Sequence, residues 1–475
     1  MLIGGEIVGA DSGKYEDVTN PATGGGLGRV PVGDTADVDR AVTAATEAFG
    51  EWRDEAPLYR AAVLRQIADT LLENRDELSH LDSLDNGSPL HEMRNDIDIA
   101  SYQLQYFAGL TLEVCGKTVP TVPGIHQYTS REPYGVVGRV VAFNHPLLFA
   151  ASRIAAPLVV GNTVVLKPSE HTPLSTLRMG ELLTDIIPPG VLNIVTGVGA
   201  VVGDALVRHP QVRRIGFTGS HSTGKKIQIT AAESPVLTTV SLELGGKNPI
   251  IIFDDADLPA AVEGAIRGMN FTWQGQSCGS TSRAFVQRAI YDQFCNLVAE
   301  RLDDMAVGNP LDEGSDTGVI AFAGHYDRVC GFIQRAIDDP EVTLRAGGLP
   351  SDENSEIRHW IRPTLFTTES DRAEVVREEV FGPVLVALPF DEYDEVIERA
   401  NSTNYGLTAS VWTSNLGVGL SAAKDIAAGY VWVNGSGAHV PGAPFGGYKD
   451  SGIGREEDID ELFSYTQLKS VVIRH

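Results

Sequence analysis

Short β-branched runs decide the fold: VVGRVVAF at 136–143, NTVVLK at 162–167, VLNIVT at 191–196, VRRIGFT at 212–218 and VLTTVSLEL at 236–244. Helical stretches separate them, and this alternation is typical of βαβ units around a parallel sheet. After Leu244, Gly245 and Gly246 a second α/β series begins, with the runs NPIIIF, SRAFV, GPVLVAL, TASVWT and GYVWVN. The sequence therefore predicts an α/β protein whose two lobes divide at this glycine-rich joint.

The chain upstream of these runs has a different pattern. Residues 2–25 alternate short apolar pieces with Gly, Asp and Asn, which predicts a small β meander. From Thr35 to about Phe107 the apolar residues recur at helical spacing, so we expect two or three helices, with starts marked by Pro57 and Pro89. The apolar run Pro146 to Val160 is too short to span a bilayer and predicts a buried helix.

The amino-acid composition indicates a globular protein and argues against nucleic acid and membranes as partners. A chain of 475 residues is longer than one core usually serves, and 43% hydrophobic with 21% charged residues is a globular composition. Acidic residues outnumber basic ones by 63 to 37, and a net charge of -26 repels nucleic acid and anionic membranes. Lysine is scarce beside arginine, which we interpret as adaptation to a high-salt cytoplasm; an ordinary acidic cytosolic enzyme is the alternative.

The cysteines are few and widely spaced. Cys115, Cys278, Cys295 and Cys330 form no CxxC pair, and no secretory leader is recognisable at the Met1 end. We therefore expect a cytoplasmic protein with no disulfide framework, no metal site and at least one free thiol.

Two glycine motifs resemble phosphate loops. Gly197, Gly199 and Gly203 give GxGxxxG, one residue longer than the dinucleotide fingerprint, so we interpret them as a turn and a helix start. In FTGSHSTGKK (217–226), Lys226 stands where a P-loop needs Ser or Thr to hold magnesium. The turn still offers free N–H groups at a helix start, which favours a dinucleotide without metal over a nucleoside triphosphate.

Three residues are candidates for chemistry. Cys278, in GQSCGSTSR, has small neighbours that let a substrate approach, although a lone cysteine is more often a buried packing residue. Glu243 ends an apolar strand, where burial would raise its pKa and suit it as a general base; otherwise it simply caps the turn. Asn144 stands between a strand and Pro146 and could donate to an oxyanion, or form an Asx turn.

Together these motifs resemble the NAD(P)-dependent, non-phosphorylating aldehyde dehydrogenases. The segments occur in the family's order and at about its spacing through nearly the whole chain: AFNHP, VVLKPSEHTPLS, GVLNIVTG, IGFTGS, LELGGKNP, GQSCGSTSR, EEVFGPV, NYGLTASVWT and PFGGYKDSGIGRE. The resemblance implies that Cys278 attacks an aldehyde to form a thiohemiacetal, with Asn144 and the Cys278 N–H as oxyanion donors. Hydride loss then leaves a thioester, which water activated by Glu243 hydrolyses to the acid.

The resemblance also implies an NAD site and an assembly. It assigns these residues to the cofactor: Phe143, Lys167, Glu170, Gly219, Ser220, Gly224, Leu244, Glu379 and Phe381. A carboxylate at Glu170 favours NAD over NADP, because it binds ribose hydroxyls and repels a 2′-phosphate. The implied architecture is two Rossmann-type lobes with a β oligomerisation element, in a homodimer or homotetramer. The ranges are 1–115 and 135–243 for dinucleotide binding, 244–448 for catalysis, and 116–134 with 449–475 for oligomerisation.

Departures from the family fall near the substrate. Where the family often has PWNFP, this chain has Ala142, Phe143 and His145, and His145 is either a polar substrate contact or a wall. Arg153 we expect in a surface salt bridge rather than at an acidic substrate tail. Rival readings are a coenzyme A-acylating or phosphorylating relative, a cofactor-independent thioester hydrolase and a non-catalytic protein on the same scaffold. Aliphatic, aromatic, sugar-derived and semialdehyde substrates all remain open.

Overall fold

A computed structural model describes residues 1–350 and 357–475. The predicted catalytic range 244–448 includes residues 351–356, which lie outside the described residues. In the first half of the chain the strands are β1 Leu2–Ile3, β2 Glu6–Ile7, β3 Tyr15–Thr19, β4 Gly26–Pro31, β5 Thr118–Val119, β6 Ile125–Pro133, β7 Val136–Val140, β8 Thr163–Lys167, β9 Leu192–Ile194, β10 Val212–Thr218 and β11 Thr239–Glu243. The helices are α1 Thr35–Asp54, α2 Pro57–Glu73, α3 Arg75–Asn86, α4 Leu90–Gly109, α5 Pro146–Val159, α6 Leu174–Leu182, α7 Asp204–Arg208 and α8 His221–Glu233.

The second half has the same alternation. Its strands are β12 Pro249–Ile252, β13 Arg283–Gln287, β14 Val342–Ala346, β15 Thr364–Thr368, β16 Val384–Phe390, β17 Thr408–Trp412, β18 Tyr430–Val433, β19 Gly452–Ile453 and β20 Thr466–Arg474. Its helices are α9 Leu258–Gly268, α10 Tyr291–Asp303, α11 Ala323–Asp338, α12 Glu374–Arg377, α13 Tyr393–Ala400, α14 Leu416–Asp425 and α15 Ile459–Ser464.

Two large sheets confirm the predicted α/β fold. The first has the order β19-β11-β10-β7-β8-β9-β1-β2, and its central strands from β11 to β9 run parallel. The second has the order β14-β15-β16-β13-β12-β17-β18 and is parallel except for β14. Buried apolar side chains lie between each sheet and its helices. Parallel sheets need such cover on both faces, which explains their continuous apolar runs.

The N-terminal region differs in detail from the prediction. Only β3 and β4 pair as a separate hairpin, whereas β1 and β2 extend the first sheet. Between residues 35 and 107 there are four helices rather than two or three, because Asn74 interrupts the second helix and Gly87, at φ 81°, ends the third. Helix α2 begins at Pro57 and α4 follows Pro89, as predicted.

The C-terminal residues divide between two sheets. Strand β20 pairs antiparallel with β6 along its whole length, in a three-stranded sheet with β5. Strand β19 instead pairs with β11, with Glu243 opposite Gly452, and closes the edge of the first sheet. Strand β19 thus covers an edge that β11 would otherwise leave unpaired, and the assignment of 449–475 to an oligomerisation element stays a prediction.

Helix α5 is buried on every face, as its apolar sequence predicts. No helix of the described residues is long and apolar enough to cross a membrane.

Candidate active site

The carboxyl ends of the parallel strands bring the candidate residues toward one edge of the first sheet. Glu243 is the last residue of β11, Gly219 follows β10, and Asn144 lies in the segment between β7 and α5. In open α/β sheets this edge is where ligands bind. Cys278 approaches from the second lobe, in the loop between α9 and β13.

Cys278 and Glu243 line the same cavity, whose volume is about 850 Å³. Its walls also include His145 and Arg153 from the first lobe. Aromatic rings contribute much of the remaining lining: Tyr102, Tyr106, Phe149, Phe271, Trp273 and Phe445. A thiol and a carboxyl therefore share a chamber large enough for a small organic substrate.

The Cys278 loop is fixed by its backbone. Asn248, just before β12, donates from Nδ2 to the carbonyl of Cys278 at 2.8 Å and to that of Ser280 at 3.0 Å. Gly275 has φ 66°, and a Cβ there would lie 2.2 Å from the carbonyl oxygen of Gly382, so only glycine fits. Burial, together with the negative charges of Glu379 and Glu243, raises the pKa of Cys278 to about 12. The thiol is therefore protonated at neutral pH in the chain alone.

Glu243 is 5% exposed, and neither of its carboxyl oxygens has a hydrogen-bond partner in the described part of the chain. Burial and the nearby charge of Glu456 raise its pKa well above the ordinary glutamate value, although Arg153 opposes them. Gly446 leaves the carboxyl its space, because a Cβ there would lie 2.9 Å from Oε1. This is the environment that tunes a carboxyl toward general-base chemistry near neutral pH.

Arg153 is not on the surface, and that expectation was wrong. Its side chain is 4% exposed, with Nε 2.8 Å from Glu456 Oε2 and Nη2 3.3 Å from Glu457 Oε1. The reason is that α5 is buried on all faces, and the segment after β19 brings two carboxylates to it. Burial alone would raise the pKa of Glu457, but His439 and Arg153 hold it at about 2.

Asn144 is buried, and its carbonyl accepts a hydrogen bond from Asn86 Nδ2 at 3.2 Å. It is not among the described residues that line the cavity, whereas its neighbour His145 is. The structure therefore brings Cys278 and Glu243 together, and the oxyanion role of Asn144 stays a prediction.

The glycine turn after β10 has the form expected of a pyrophosphate site. Ser220 caps α8, and its Oγ accepts from the N–H of Thr223 at 3.3 Å. Gly224, in the first turns of α8, packs on Leu244, since a Cβ there would lie 2.7 Å from Leu244 Cδ2. Gly219 and Ser220 thus lie at the start of α8, where free N–H groups favour an anion, and Gly224 packs the helix closely on Leu244.

Lys167 and Glu170 form a partly buried pair at the end of β8. Lys167 Nζ lies 2.8 Å from Glu170 Oε2, and the N–H of Gly199 donates to Glu170 Oε1 at 3.2 Å. Burial would raise the pKa of Glu170, but Lys167 lowers it, so the carboxyl is ionised. Gly199 to Gly203 form a helical turn that leads into α7, as predicted, and the Gly199 N–H binds this carboxylate.

The segment from Glu379 to Phe381 is held by helix α11, which the sequence reasoning missed. Arg328 donates to the carbonyl of Glu379 at 2.7 Å and to that of Val380 at 2.8 Å. His325 Nε2 donates to the carbonyl of Phe381 at 2.7 Å. Phe381 has φ 56°, a costly conformation for a non-glycine residue, so these bonds hold a strained turn. The signal that could have found them is a His and an Arg three residues apart, which places both on one face of a helix.

The side chains of the same segment face other predicted cofactor residues. Glu379 accepts from the N–H of Gly246 at 3.0 Å, while burial raises its pKa to about 7. The Phe381 ring lies 5.7 Å from Phe143, which also packs edge-to-face on Phe322 at 5.1 Å. His171 stacks on Phe322 at 3.7 Å. These rings connect the Lys167 segment with the Glu379 segment, the two ends of the predicted dinucleotide site.

Comparison with known proteins identifies the family. The family model described as "Aldehyde dehydrogenase family" matches residues 7–471. The putative aldehyde dehydrogenase DhaS of Bacillus subtilis is 41% identical over 475 residues, which covers 99% of this chain and 94% of the relative. The aldehyde dehydrogenase tropH of Talaromyces stipitatus is 42% identical over 465 residues, with 96% and 90% covered.

Comparison with solved structures leads to the same family. The NAD+ complex of an aldehyde dehydrogenase from Bacillus cereus matches with a TM-score of 0.96 at 40% identity, covering 100% of this chain and 96% of that one. A betaine aldehyde dehydrogenase from Staphylococcus aureus, in complex with NAD+, matches with a TM-score of 0.96 at 36% identity, with 100% and 94% covered. The chain therefore belongs to the aldehyde dehydrogenase family, as its motif order predicted, and is an oxidoreductase that acts on aldehydes.

The raised pKa of Cys278 gives a direct test by alkylation. In the chain without cofactor, we expect the iodoacetamide labelling rate of Cys278 to rise about tenfold per pH unit from pH 7 to pH 9, because only the thiolate reacts. Peptide mass spectrometry separates it from Cys115, which is exposed and reports on the reagent. A labelling rate of Cys278 that levels off below pH 8 would show that the thiol is already ionised.

Proposed function

We propose that the chain oxidises an aldehyde to a carboxylic acid with NAD, through a thioester on Cys278. The observation that carries this proposal is one cavity lined by both Cys278 and a buried Glu243 whose carboxyl oxygens have no partner among the described residues. A carboxyl kept free of hydrogen bonds is available to a water molecule in the chamber. A merely structural glutamate would be expected to be bonded.

The residues divide the chemistry between them. Cys278 attacks the aldehyde carbon as a thiolate, after its proton has passed to solvent, and Asn144 with the Cys278 N–H stabilises the oxyanion. The residues assigned to the cofactor would hold NAD, which would supply the acceptor for the hydride lost from the former aldehyde carbon. Glu243 then takes a proton from water, which attacks the thioester and releases the acid and the Cys278 thiol.

The residues assigned to the cofactor support a dinucleotide site. The Gly219–Ser220 turn would hold the pyrophosphate at the start of α8, and Glu379 with Phe381 would contact the nicotinamide end. Lys167 and Glu170 would contact the adenosine ribose. The ionised Glu170 favours ribose hydroxyls over a 2′-phosphate, which supports NAD over NADP.

Assembly and habitat are proposals of the same kind. Leu468, Val472 and Ile473 on β20 are apolar and exposed, and β20 is an edge strand of the three-stranded sheet. An apolar edge strand is suited to pairing with a second copy, so we propose a homodimer or homotetramer. The net charge of -26 supports a cytoplasm of high salt, which would screen the self-repulsion.

Kinetic measurements of NADH formation distinguish the thioester mechanism from the alternative functions. In molar potassium chloride, we expect wild-type protein to form NADH with at least one of four aldehyde classes: aliphatic, aromatic, sugar-derived or semialdehyde. Cys278→Ala should be inactive, while Glu243→Gln should give a stopped-flow burst of NADH and then turn over about 100-fold or more slowly, because hydrolysis alone is impaired. Cys115→Ala, at an exposed cysteine, is the matched control and should keep full activity.

Other outcomes favour the rivals. Acceleration of the wild type by coenzyme A or phosphate would indicate an acylating or phosphorylating enzyme. Thioester hydrolysis with no NADH from any aldehyde would indicate a cofactor-independent hydrolase, and no turnover at all a non-catalytic protein. Full activity in Cys278→Ala would remove Cys278 from the mechanism.

The assignment of Glu170 predicts the coenzyme preference. Glu170→Gln should lower the ratio of kcat/KM for NAD to that for NADP by about tenfold, because it removes the charge that repels a 2′-phosphate. Steady-state kinetics with both coenzymes measure the ratio, and Glu233→Gln, an exposed residue at the end of α8, is the control. An unchanged ratio in Glu170→Gln would show that another residue reads the 2′ position.

A further inference from the structure

His145 lies in the wall of the cavity that contains Cys278 and Glu243. It precedes α5, directly after Asn144, and its ring lines the chamber that contains Cys278. The ring is held between aromatic neighbours, with Phe149 at 5.3 Å and Trp273 at 5.5 Å between ring centroids. Its position in the chamber wall is therefore well defined.

The two ring nitrogens of His145 have different surroundings. Nδ1 lies 2.8 Å from Oδ2 of Asp96, whose side chain is 1% exposed. Nε2 has no hydrogen-bond partner in the described ranges 1–350 and 357–475, although the side chain keeps 14% of its surface exposed. Since Asp96 fixes a proton on Nδ1, Nε2 is the nitrogen that is free for a bound molecule.

The charges around His145 decide what Nε2 offers. Burial lowers the pKa of the imidazole, but Asp96, Glu92 and Asp82 raise it by a larger amount, so the net pKa is raised. Asp96 and Glu92 come from α4 and Asp82 from α3, and Arg153 on α5 is paired with Glu456 and Glu457. A protonated ring carries N–H on both nitrogens, so in that form Nε2 offers a donor to a molecule bound in the chamber.

The same carboxylates disfavour a negatively charged substrate group. Glu92, Asp96, Asp98 and Glu263 all line the cavity. The arginines of the lining are Arg153, which is paired with Glu456 and Glu457, and Arg267. Asp98 and Glu263 have arginine partners of their own, which leaves Glu92 and Asp96 as the carboxylates that oppose an anion. A neutral oxygen acceptor can accept from Nε2–H without repulsion from these groups, whereas a carboxylate cannot.

We propose that His145, oriented by Asp96, is a specificity residue that donates from Nε2 to a neutral oxygen on an aromatic aldehyde. The substrate class is benzaldehyde-like aldehydes that carry a ring hydroxyl or ether oxygen. The aromatic lining supplies flat apolar surface for the ring, and His145 Nε2 supplies a donor for one oxygen. This inference rests on the proposed aldehyde oxidation at Cys278.

Matched substrates and two variants test the proposal. The test compares kcat/KM for benzaldehydes that carry one substituent at ring position 3 or 4. The methoxy ratio is kcat/KM for the methoxybenzaldehyde divided by kcat/KM for the methylbenzaldehyde substituted at the same position. The hydroxyl ratio is defined in the same way for the hydroxybenzaldehyde. In the wild type we expect at least one position at which both ratios exceed about 10, as for a hydrogen bond to a charged donor. His145→Phe should bring both ratios to about 1 while methylbenzaldehyde is still oxidised.

Asp96→Asn separates recognition from a packing role. The asparagine oxygen still accepts from Nδ1–H, but the ring loses the largest of the charges that raise its pKa. The neutral ring, with Nε2 as an acceptor, is then favoured. The hydroxyl preference should survive, because a hydroxyl can donate, whereas the methoxy preference should fall at least about fivefold. A residue that only packed the chamber wall would change both ratios together.

The outcomes are distinguishable from failure of the proposed function. This proposal alone would be overturned if the wild type oxidised methylbenzaldehyde in a Cys278-dependent reaction but showed methoxy and hydroxyl ratios near 1 at both ring positions. So would ratios that persist in His145→Phe, or a carboxybenzaldehyde preferred over the methoxy compound. If no aldehyde of any class is oxidised, the proposed function itself fails.

Discussion

The removal of the Glu243 carboxyl from water is the constraint on which the rest of the site depends. A buried carboxylate without hydrogen bonds is costly, so the group raises its pKa and carries a proton more readily than an exposed glutamate. It stays buried because β11 is fixed on both sides, by β10 and by β19. The sheet thus supplies the rigidity that holds an otherwise unfavourable group in place.

Behind Glu243 lies a set of buried charges that links distant parts of the chain. Glu456 lies between two arginines, 2.8 Å from Arg139 Nη2 and 2.8 Å from Arg153 Nε. Glu461, from α15, is buried beside them, and burial with the charge of Glu456 raises its pKa to about 8. Removal of one partner from such a group typically lowers the free energy of unfolding by roughly 3–5 kcal/mol, because it leaves a buried charge uncompensated. The C-terminal segment therefore contributes to the electrostatics of the active site as well as to strand β20.

The sequence could predict the features that local patterns encode. The β-branched runs predicted the parallel sheets, Pro57 and Pro89 predicted helix starts, and the order of motifs predicted the family. The motifs also singled out Cys278 and Glu243, which line one cavity, while their catalytic roles stay predictions. Long-range contacts were beyond these patterns. The partner of Arg153 lies 304 residues away, that of His145 lies 49 away, and the carbonyls held by His325 and Arg328 lie more than 50 away. Such pairs have no periodicity that connects them, so Arg153 was misplaced and the role of α11 was missed.

The most direct test of this account is the protonation of Glu243 itself. Infrared difference spectra of wild-type protein and Glu243→Gln, recorded at pH 6, compare the carboxylic acid and carboxylate bands of that one side chain. An ordinary glutamate is ionised at that pH, since its pKa is about 4.3. We predict that the wild type has a protonated carboxyl band that the variant lacks. A difference spectrum with only carboxylate bands would show that Glu243 is ionised in its buried position, and would contradict the account.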